Sequence, residues 1–342
     1  MNMPKNQTIL VTGGAGFIGS FFCDMMLAEG HHVICLDKLS YAGNLDNLSQ
    51  AQQHENFKFV KGDICDGALV ETLLEENNVT WLVNFAAESH VDNSIAGPEV
   101  FIDTNIKGTF NLLDCALKYY KTLDDEMKES FRYLQISTDE VYGALGETGE
   151  FDEMTAYKPN SPYSASKAAA DHLVRAWYQT YGLPTLTTNC SNNYGPRQHI
   201  EKFIPVIVRS CVEEAQIPVY GTGKNVRDWL YVKDHCHGIY LTLTKGTLGE
   251  TYCLGGGVEL SNLDLATKIC GIMDEKHPRS DGHSYKELIS FVEDRLGHDF
   301  RYAIDCTKAS KALGYEASGS LSQHLGETID WYITQFKRGK AA

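Results

Sequence analysis

The sequence predicts an α/β fold, a doubly wound parallel sheet flanked by helices, and three observations carry that prediction. An apolar, β-rich run at residues 9–12 leads without a break into Gly13-Gly14-Ala15-Gly16-Phe17-Ile18-Gly19. Strand-like and helix-like segments then alternate as far as residue 190. Acidic or hydroxyl residues recur just past the carboxyl ends of the strands, at Asp37, Asp63, Thr138 and Glu140. Repeated βα units give a parallel sheet with helices on both faces, and ligands gather at the carboxyl ends of its strands.

The first unit is the most informative. Phe21, Phe22, Met25 and Met26 recur at helical spacing until Gly30 stops the helix, and a second strand at 33–36 ends in Asp37. Strand, glycine turn, helix, strand, acid is the Rossmann-like dinucleotide-binding unit. Its glycines permit a tight turn and let the backbone approach a pyrophosphate at the helix N-terminus. The acid accepts bonds from the adenosine ribose hydroxyls, and a carboxylate there repels a 2′-phosphate, so NAD is expected rather than NADP.

A strand at 57–60 follows, closing with Asp63-Ile64, then a helix over 67–76 and a strand over 81–87 that runs out into Glu88-Ser89-His90. Residues 98–120 read as a long helix with apolar positions Val100, Ile106, Phe110, Leu113 and Leu117. The strand ending at Ile136 opens onto Ser137-Thr138-Asp139-Glu140-Val141-Tyr142-Gly143. A helix headed by Pro162 runs to about Gly182, and 185–190 is a further strand. Beyond it the rhythm loosens. We expect an NAD-binding domain over 1–190 with a return segment near 228–248, in which 228–231 rejoins the sheet. A smaller, discontinuous α/β substrate-binding domain is expected over 191–342.

Composition narrows the function. The 342 residues are 43% hydrophobic and 22% charged, an ordinary globular composition. A net charge of −15 argues against a nucleic-acid or anionic-membrane surface and requires any anionic substrate to find a local cationic cluster. Lys202, Arg227, Arg295 and Arg301 in the second half are the candidates. No apolar run is long enough to span a bilayer, and the polar N-terminus carries no signal or transit pattern, so a cytoplasmic protein is expected. Ten cysteines stand singly, mostly in apolar runs and without C-x-x-C, which suits buried reduced thiols. His235 and His237 diverge on a helix, and no metal site is expected.

Tyr163 and Lys167, one helical turn apart, share a face of the helix that follows. A neighbouring ammonium favours phenolate, which brings a phenol into range as a base for an alcohol, and Thr138 can bond the same substrate oxygen. Asp139 and Glu140 offer two adjacent carboxyls, and crowding in one crevice helps one of them stay protonated.

These motifs carry a resemblance. Thr12-Gly13-Gly14-Ala15-Gly16-Phe17-Ile18-Gly19 with Tyr163-x-x-x-Lys167 resembles the extended short-chain dehydrogenase/reductase superfamily. Asp37-Lys38-Leu39-Ser40-Tyr41-Ala42-Gly43-Asn44, Ala86-Ala87-Glu88-Ser89-His90-Val91-Asp92, Ser137 to Gly143, Asn189-Cys190-Ser191-Asn192-Asn193-Tyr194-Gly195-Pro196 and Asp294-Arg295-Leu296-Gly297-His298-Asp299 narrow it over nearly the full length to the nucleotide-sugar dehydratases, specifically the dTDP-glucose 4,6-dehydratase family. The resemblance implies catalytic roles for Thr138, Asp139 (acid), Glu140 (base), Tyr163 and Lys167. It implies tightly bound NAD, regenerated each turnover, held by Gly13, Gly16, Phe17, Ile18, Gly19, Asp37, Lys38, Leu39, Ser40, Asp63, Ile64, Phe85, Ala86, Ala87, Ser89, Thr104, Tyr163, Lys167 and Asn193. It assigns the nucleotide sugar to Ser89, Thr138, Asn192, Lys202, Phe203, Pro218, Tyr220, Arg227, Asn262, Arg295 and His298, with Tyr220 stacking on the base. Asn93, Phe203, Leu296 and Phe300 depart from the family's usual Arg, Leu, Pro and Arg. The competing readings are a nucleotide-sugar 4-epimerase, which needs neither a C5 base nor a C6 acid, a dehydratase of UDP- or CDP-sugars, and a non-catalytic NAD-binding regulator. A homodimer is expected through the two long helices, whose Phe110, Ala169, Leu173 and Trp177 exceed what one sheet face covers.

Overall fold

The computed structural model describes residues 6–294 and 297–339. In chain order the first half comprises β1 (Thr8–Thr12), α1 (Phe17–Ala28), β2 (His32–Asp37), β3 (Phe57–Lys61), α2 (Gly67–Glu76), β4 (Trp81–Asn84), α3 (Val91–Ala96), α4 (Glu99–Phe101), a π-helical segment (Ile102–Gly108), α5 (Thr109–Thr122), α6 (Asp125–Ser130), β5 (Arg132–Thr138), α7 (Pro162–Tyr181) and β6 (Thr185–Cys190). The second half adds β7 (Asn192–Tyr194), α8 (Phe203–Val212), β8 (Ile217–Tyr220), β9 (Val226–Tyr231), α9 (Val232–Lys245), β10 (Thr251–Leu254), β11 (Glu259–Ser261), α10 (Asn262–Lys276), β12 (Ile289–Val292), α11 (Thr307–Leu313) and α12 (Leu321–Lys337).

Seven strands form one parallel sheet in the order β10-β6-β5-β4-β1-β2-β3. Strand order reverses between β1 and β4, and that switch point opens the crevice in which a doubly wound sheet binds its ligand. Alternation along β1 sends Ile9 and Val11 into a core built with α1 and α9. Leu10 points to the opposite core, with α2, α5 and α7. The expected segments of the first half thus fold as strands and helices on two faces.

One strand differs from expectation. Residues 226–231 do form a strand, yet β9 does not rejoin the main sheet. It pairs in parallel with β7 and antiparallel with β11 in a separate three-stranded sheet. The returning strand is β10, which pairs with β6 from Thr251↔Thr187 to Leu254↔Cys190. An apolar run reveals that a strand exists but not its partner, since pairing is set by packing around it. β8 and β12 make a separate two-stranded parallel ribbon. No helix among the described residues is long and apolar enough to cross a membrane.

Candidate active site

The carboxyl ends of the sheet strands wall a cavity of about 300 Å³. Its floor is the glycine turn. Gly13 adopts φ +68°, and a Cβ there would lie 2.6 Å from the Ala86 nitrogen and 2.8 Å from the Phe85 carbonyl carbon. A Cβ on Gly19 would meet the Gly13 carbonyl oxygen at 2.4 Å. The turn is therefore a backbone cradle that admits no side chain. Gly16 caps α1 without a side-chain bond to the helix, so backbone N–H groups of its first turn face the cavity unclaimed by a cap. Such an end binds phosphate oxygens.

Asp37 closes β2 and is ordered from both sides. Its Oδ2 accepts from the Ala15 N–H at 3.0 Å and its Oδ1 from the Leu39 N–H at 2.7 Å. Burial pushes this carboxyl up, and those N–H groups oppose the rise. Leu39 itself, at φ +56°, turns its side chain onto the core and does not line the cavity. The Lys38 Nζ donates to Thr104 Oγ1 at 3.1 Å and lies 3.7 Å from Asp63, tying the loop after β2 to the π-helical segment. Gly13, Gly16, Phe17, Ile18, Gly19, Asp37, Lys38, Ser40, Asp63, Ile64, Phe85, Ala86, Ala87, Ser89, Thr104 and Asn193 all line this cavity, as do the five expected catalytic residues. The donor set, an uncapped helix end, a close-packed glycine turn and a fixed acid, fits a dinucleotide.

Thr138, the last residue of β5, caps a short 3₁₀ turn, Asp139–Tyr142, by accepting the Glu140 N–H at 3.3 Å. Its hydroxyl donates to Asp139 Oδ1 at 3.2 Å, whereas Asp139 Oδ2 is buried without a hydrogen-bond partner. Asp139 is 2% exposed. Burial, then the Glu140 and Asp228 charges, push its carboxyl well above the ordinary range.

Ser161 caps α7 in a reciprocal capping box with Ser164, and Pro162 is the first helical residue, which fixes Tyr163 one residue inside the helix. Lys167 lies one turn on, and its Nζ donates to the Ile136 carbonyl at 2.6 Å. Burial and then Glu140 push Tyr163 well up, with Cys190 and Asp139 adding and a Thr138 hydrogen bond opposing. Burial also pulls the Lys167 ammonium down, against Asp171 and Cys190. The spacing placed both groups on one face, but the charges around them come from Asp139 and Glu140 in the turn after β5, from Cys190 of β6 and from Asp171 of α7.

The expected nucleotide-sugar residues divide. Ser89, Thr138, Asn192 and Lys202 line the cavity. Lys202 donates to the Ser89 carbonyl at 3.2 Å, and the Asn192 carboxamide oxygen is buried without a partner. Phe203, Pro218, Tyr220, Arg227, Asn262 and His298 lie in the second half, outside the cavity lining. Phe203 opens α8 and packs on the core. Pro218 and Tyr220 share the exposed face of β8, and the Tyr220 ring stands edge-on to His298 at 6.3 Å. His298 pairs with Asp294 at 2.6 Å. Asn262 starts α10 and donates its N–H to the Asn225 carbonyl. Arg227 donates to the carbonyls of Val226, Asp299 and Phe300 and lies 4.4 Å over the Tyr302 ring. Arg301 grips Glu259 at 2.6 and 2.8 Å. Of the four cations expected to cluster, Lys202 therefore reaches the cavity, while Arg295 and its neighbour Leu296 lie outside the described residues.

Tyr41, Glu88 and His199 line the cavity without having been singled out. Tyr41 bonds Ser89 through its hydroxyl at 3.2 Å and packs edge-on to His199 at 5.5 Å. The available signal was position: Tyr41 follows the acid of β2, and Glu88 follows the end of β4.

A family model described as GDP-mannose 4,6 dehydratase matches residues 10–328. The dTDP-glucose 4,6-dehydratase of Xanthomonas campestris pv. campestris (strain B100) is 53% identical over 327 residues, 96% of this chain and 93% of the relative. The crystal structure of dTDP-glucose 4,6-dehydratase from Bacillus anthracis str. Ames in complex with NAD aligns with a TM-score of 0.85 at 44% identity, covering 97% of this chain and 98% of that one. UDP-glucose 4-epimerase from Thermotoga maritima, solved with UDP-glucose, reaches the same TM-score of 0.85 at 26% identity, covering 96% and 100%. Backbone shape does not separate dehydratase from epimerase, whereas sequence does. On that match the chain belongs to the dTDP-glucose 4,6-dehydratase family.

Proposed function

We propose that this chain is a hydro-lyase that converts dTDP-glucose to dTDP-4-keto-6-deoxyglucose with tightly held NAD. The observation that carries the reading is the adjacent pair Asp139 and Glu140, which line the same cavity as Tyr163 and Lys167, Asp139 buried and its carboxyl pushed up by burial and by the Glu140 charge. An epimerase has no use for that pair. The glycine turn, the first turn of α1 and Asp37 would hold the dinucleotide. Bound NAD supplies the acceptor for the hydrogen on C4 and, retained in reduced form, the donor that reduces C6.

The chain's own residues move the protons. Tyr163 receives the proton of the sugar 4-hydroxyl, and Thr138 bonds the same oxygen. The 4-ketone acidifies C5–H, Glu140 takes that proton, and Asp139 gives its own to the departing C6 hydroxyl, so that water leaves. Incubation with dTDP-glucose is expected to give a product lighter by one water with no net NADH. A product of unchanged mass and inverted C4 would establish epimerisation instead. Turnover of dTDP-, UDP- and CDP-glucose side by side fixes the base preference.

The reading extends to a homodimer. Val100, Ile102 and Phe110 are exposed along residues 99–122, 44%, 42% and 48% respectively, and so is Tyr181 of α7. The rings of Phe110 and Trp177 meet edge-on at 5.7 Å, and those of Trp177 and Tyr181 at 5.4 Å. Exposed apolar side chains along two neighbouring helices favour a protein interface. Light scattering at micromolar protein is expected to give twice the 38.1 kDa chain mass, and Trp177→Glu the single mass; a monomeric wild type refutes the assignment. All ten cysteines are free thiols, in keeping with a cytoplasmic enzyme.

A further inference from the structure

His235 sits in the first turn of α9, fully buried, and none of the proton and hydride steps uses it. Its Nδ1 lies 2.9 Å from the Asn193 carboxamide oxygen. The direction of that bond is fixed from the far side of Asn193. The Asn193 Nδ2 donates to the Ser191 carbonyl at 3.0 Å and to the Cys190 sulfur at 3.5 Å, so the amide nitrogen stands there and Oδ1 faces the imidazole. A carboxamide oxygen can only accept, so the proton is on the His235 Nδ1. Nε2 is then bare, and it is buried without a hydrogen-bond partner among the described residues. Burial pulls the imidazole down to about 3, which keeps it neutral with a single N–H. The Asn193 backbone is held as well: β7 pairs it with Leu230 of β9, and Gln198 Nε2 donates to its carbonyl at 2.9 Å. Rotation of the side chain is the freedom left, and the His235 bond removes it.

We propose that His235 is a positioning residue for the nicotinamide half of NAD, acting by locking the Asn193 carboxamide so that its oxygen is the group offered to the cavity. Asn193 lines the cavity and His235 does not. Cys190 pairs with Thr138 across β6 and β5, and its thiol donates to the Ser137 carbonyl at 3.3 Å. Through Cys190, Asn193 is therefore bonded to the wall that carries Thr138. The ring that trades hydrogen with C4 has to lie at that end of the cavity, beside Thr138 and Tyr163. With both amide hydrogens turned into the protein, Asn193 presents an acceptor, the second lone pair of Oδ1. That lone pair suits an N–H or O–H donor on the nicotinamide half, its carboxamide or its ribose hydroxyls. A carboxamide turned over would face those same donors with its own hydrogens. Since the reduced cofactor has to stay through the elimination, a lock that slows its departure serves every turnover.

The inference rests on the reading of the cavity as the NAD site of a dehydratase, and the two fail separately. Holoenzyme is mixed with excess isotopically labelled NAD, and exchange of the bound nucleotide is timed for the wild type, His235→Leu and His235→Asn. The Asn Nδ2 matches the His Nδ1 in its place along the side chain and keeps the donor, whereas Leu has none. His235→Leu is expected to exchange about 10-fold faster, the worth of one neutral hydrogen bond, with affinity for dTDP changed less than about twofold. His235→Asn is expected to exchange at the wild-type rate. In an Asn193→Ala background His235→Leu is expected to add nothing, because the lock has lost what it holds. Wild-type exchange in His235→Leu, equal acceleration in both His235 variants, or a full extra effect in the Asn193→Ala background overturns the proposal. A merely structural role would weaken dTDP binding and NAD retention together, and that result overturns it too. Should His235→Leu not fold, nitrogen NMR of the wild-type holoenzyme decides, the His235 signals being assigned by their loss in His235→Asn. A proton on Nδ1 with Nε2 bare supports the lock, and a proton on Nε2 overturns it. Wild-type enzyme that holds NAD but leaves dTDP-glucose untouched would instead sink the dehydratase reading.

Discussion

Glu140→Gln is expected to oxidise dTDP-glucose at C4 and go no further. An amide cannot take the C5 proton, and loss of a positioned general base costs about 10²- to 10⁴-fold in the step it serves. The oxidation should survive. The Glu140 charge is the first charge, after burial, that pushes Tyr163 up, and it does the same to Asp139. Its removal lets the phenol ionise more easily, so C4 oxidation by the variant should begin at lower pH than in the wild type. NADH absorbance is expected to rise and persist in the first turnover, with product of unreduced water content by mass. Dehydration at the wild-type rate would overturn the division of labour between Glu140 and Asp139.

Gly13→Ala is expected to unmake the cradle. The positive φ alone costs about 1–2 kcal/mol in a residue with a Cβ. The atoms the new carbon would meet belong to the Ala86 and Phe85 backbone at 2.6–2.8 Å, so relief requires moving the end of β4 away from β1. A combined loss of about 3 kcal/mol or more is expected, with the purified protein free of NAD. Gly30→Ala is the matched control. Gly30 has φ +85°, but nothing lies within 4 Å of its would-be Cβ. That variant should lose only the conformational part and keep its cofactor. Denaturant melts and the nucleotide released on unfolding measure both; equal losses in the two variants would show that close approach to β4 is not what Gly13 is for.

The sequence made the first half legible because each signal there is local. Period-2 and period-3.6 patterns, a glycine turn and an acid at a strand end fix where chain segments start and stop. The side chains they bring to the cavity follow from the parallel sheet. Long-range choices were not legible. Asp228 to Tyr231 reads as a strand that rejoins the main sheet, yet β9, which contains it, pairs with β7 and β11. Arg301 reads as a free cation and is bound to Glu259. The Tyr163–Lys167 spacing correctly put both on one face, but the sign of the field at the phenol depends on burial and on Asp139 and Glu140.

The position of β10 has a consequence for how the protein is made. The sheet's last strand is synthesised only after β7, α8, β8, β9 and α9. A ribosome that has emitted residues through Cys190 has released six of the seven strands, with β6 as a bare edge that offers unpaired backbone groups to any passing strand. Completion waits for the chain to cross the second half and come back. A fragment that ends at residue 190 lacks both the β10 edge of the sheet and the α9 side chains of its core.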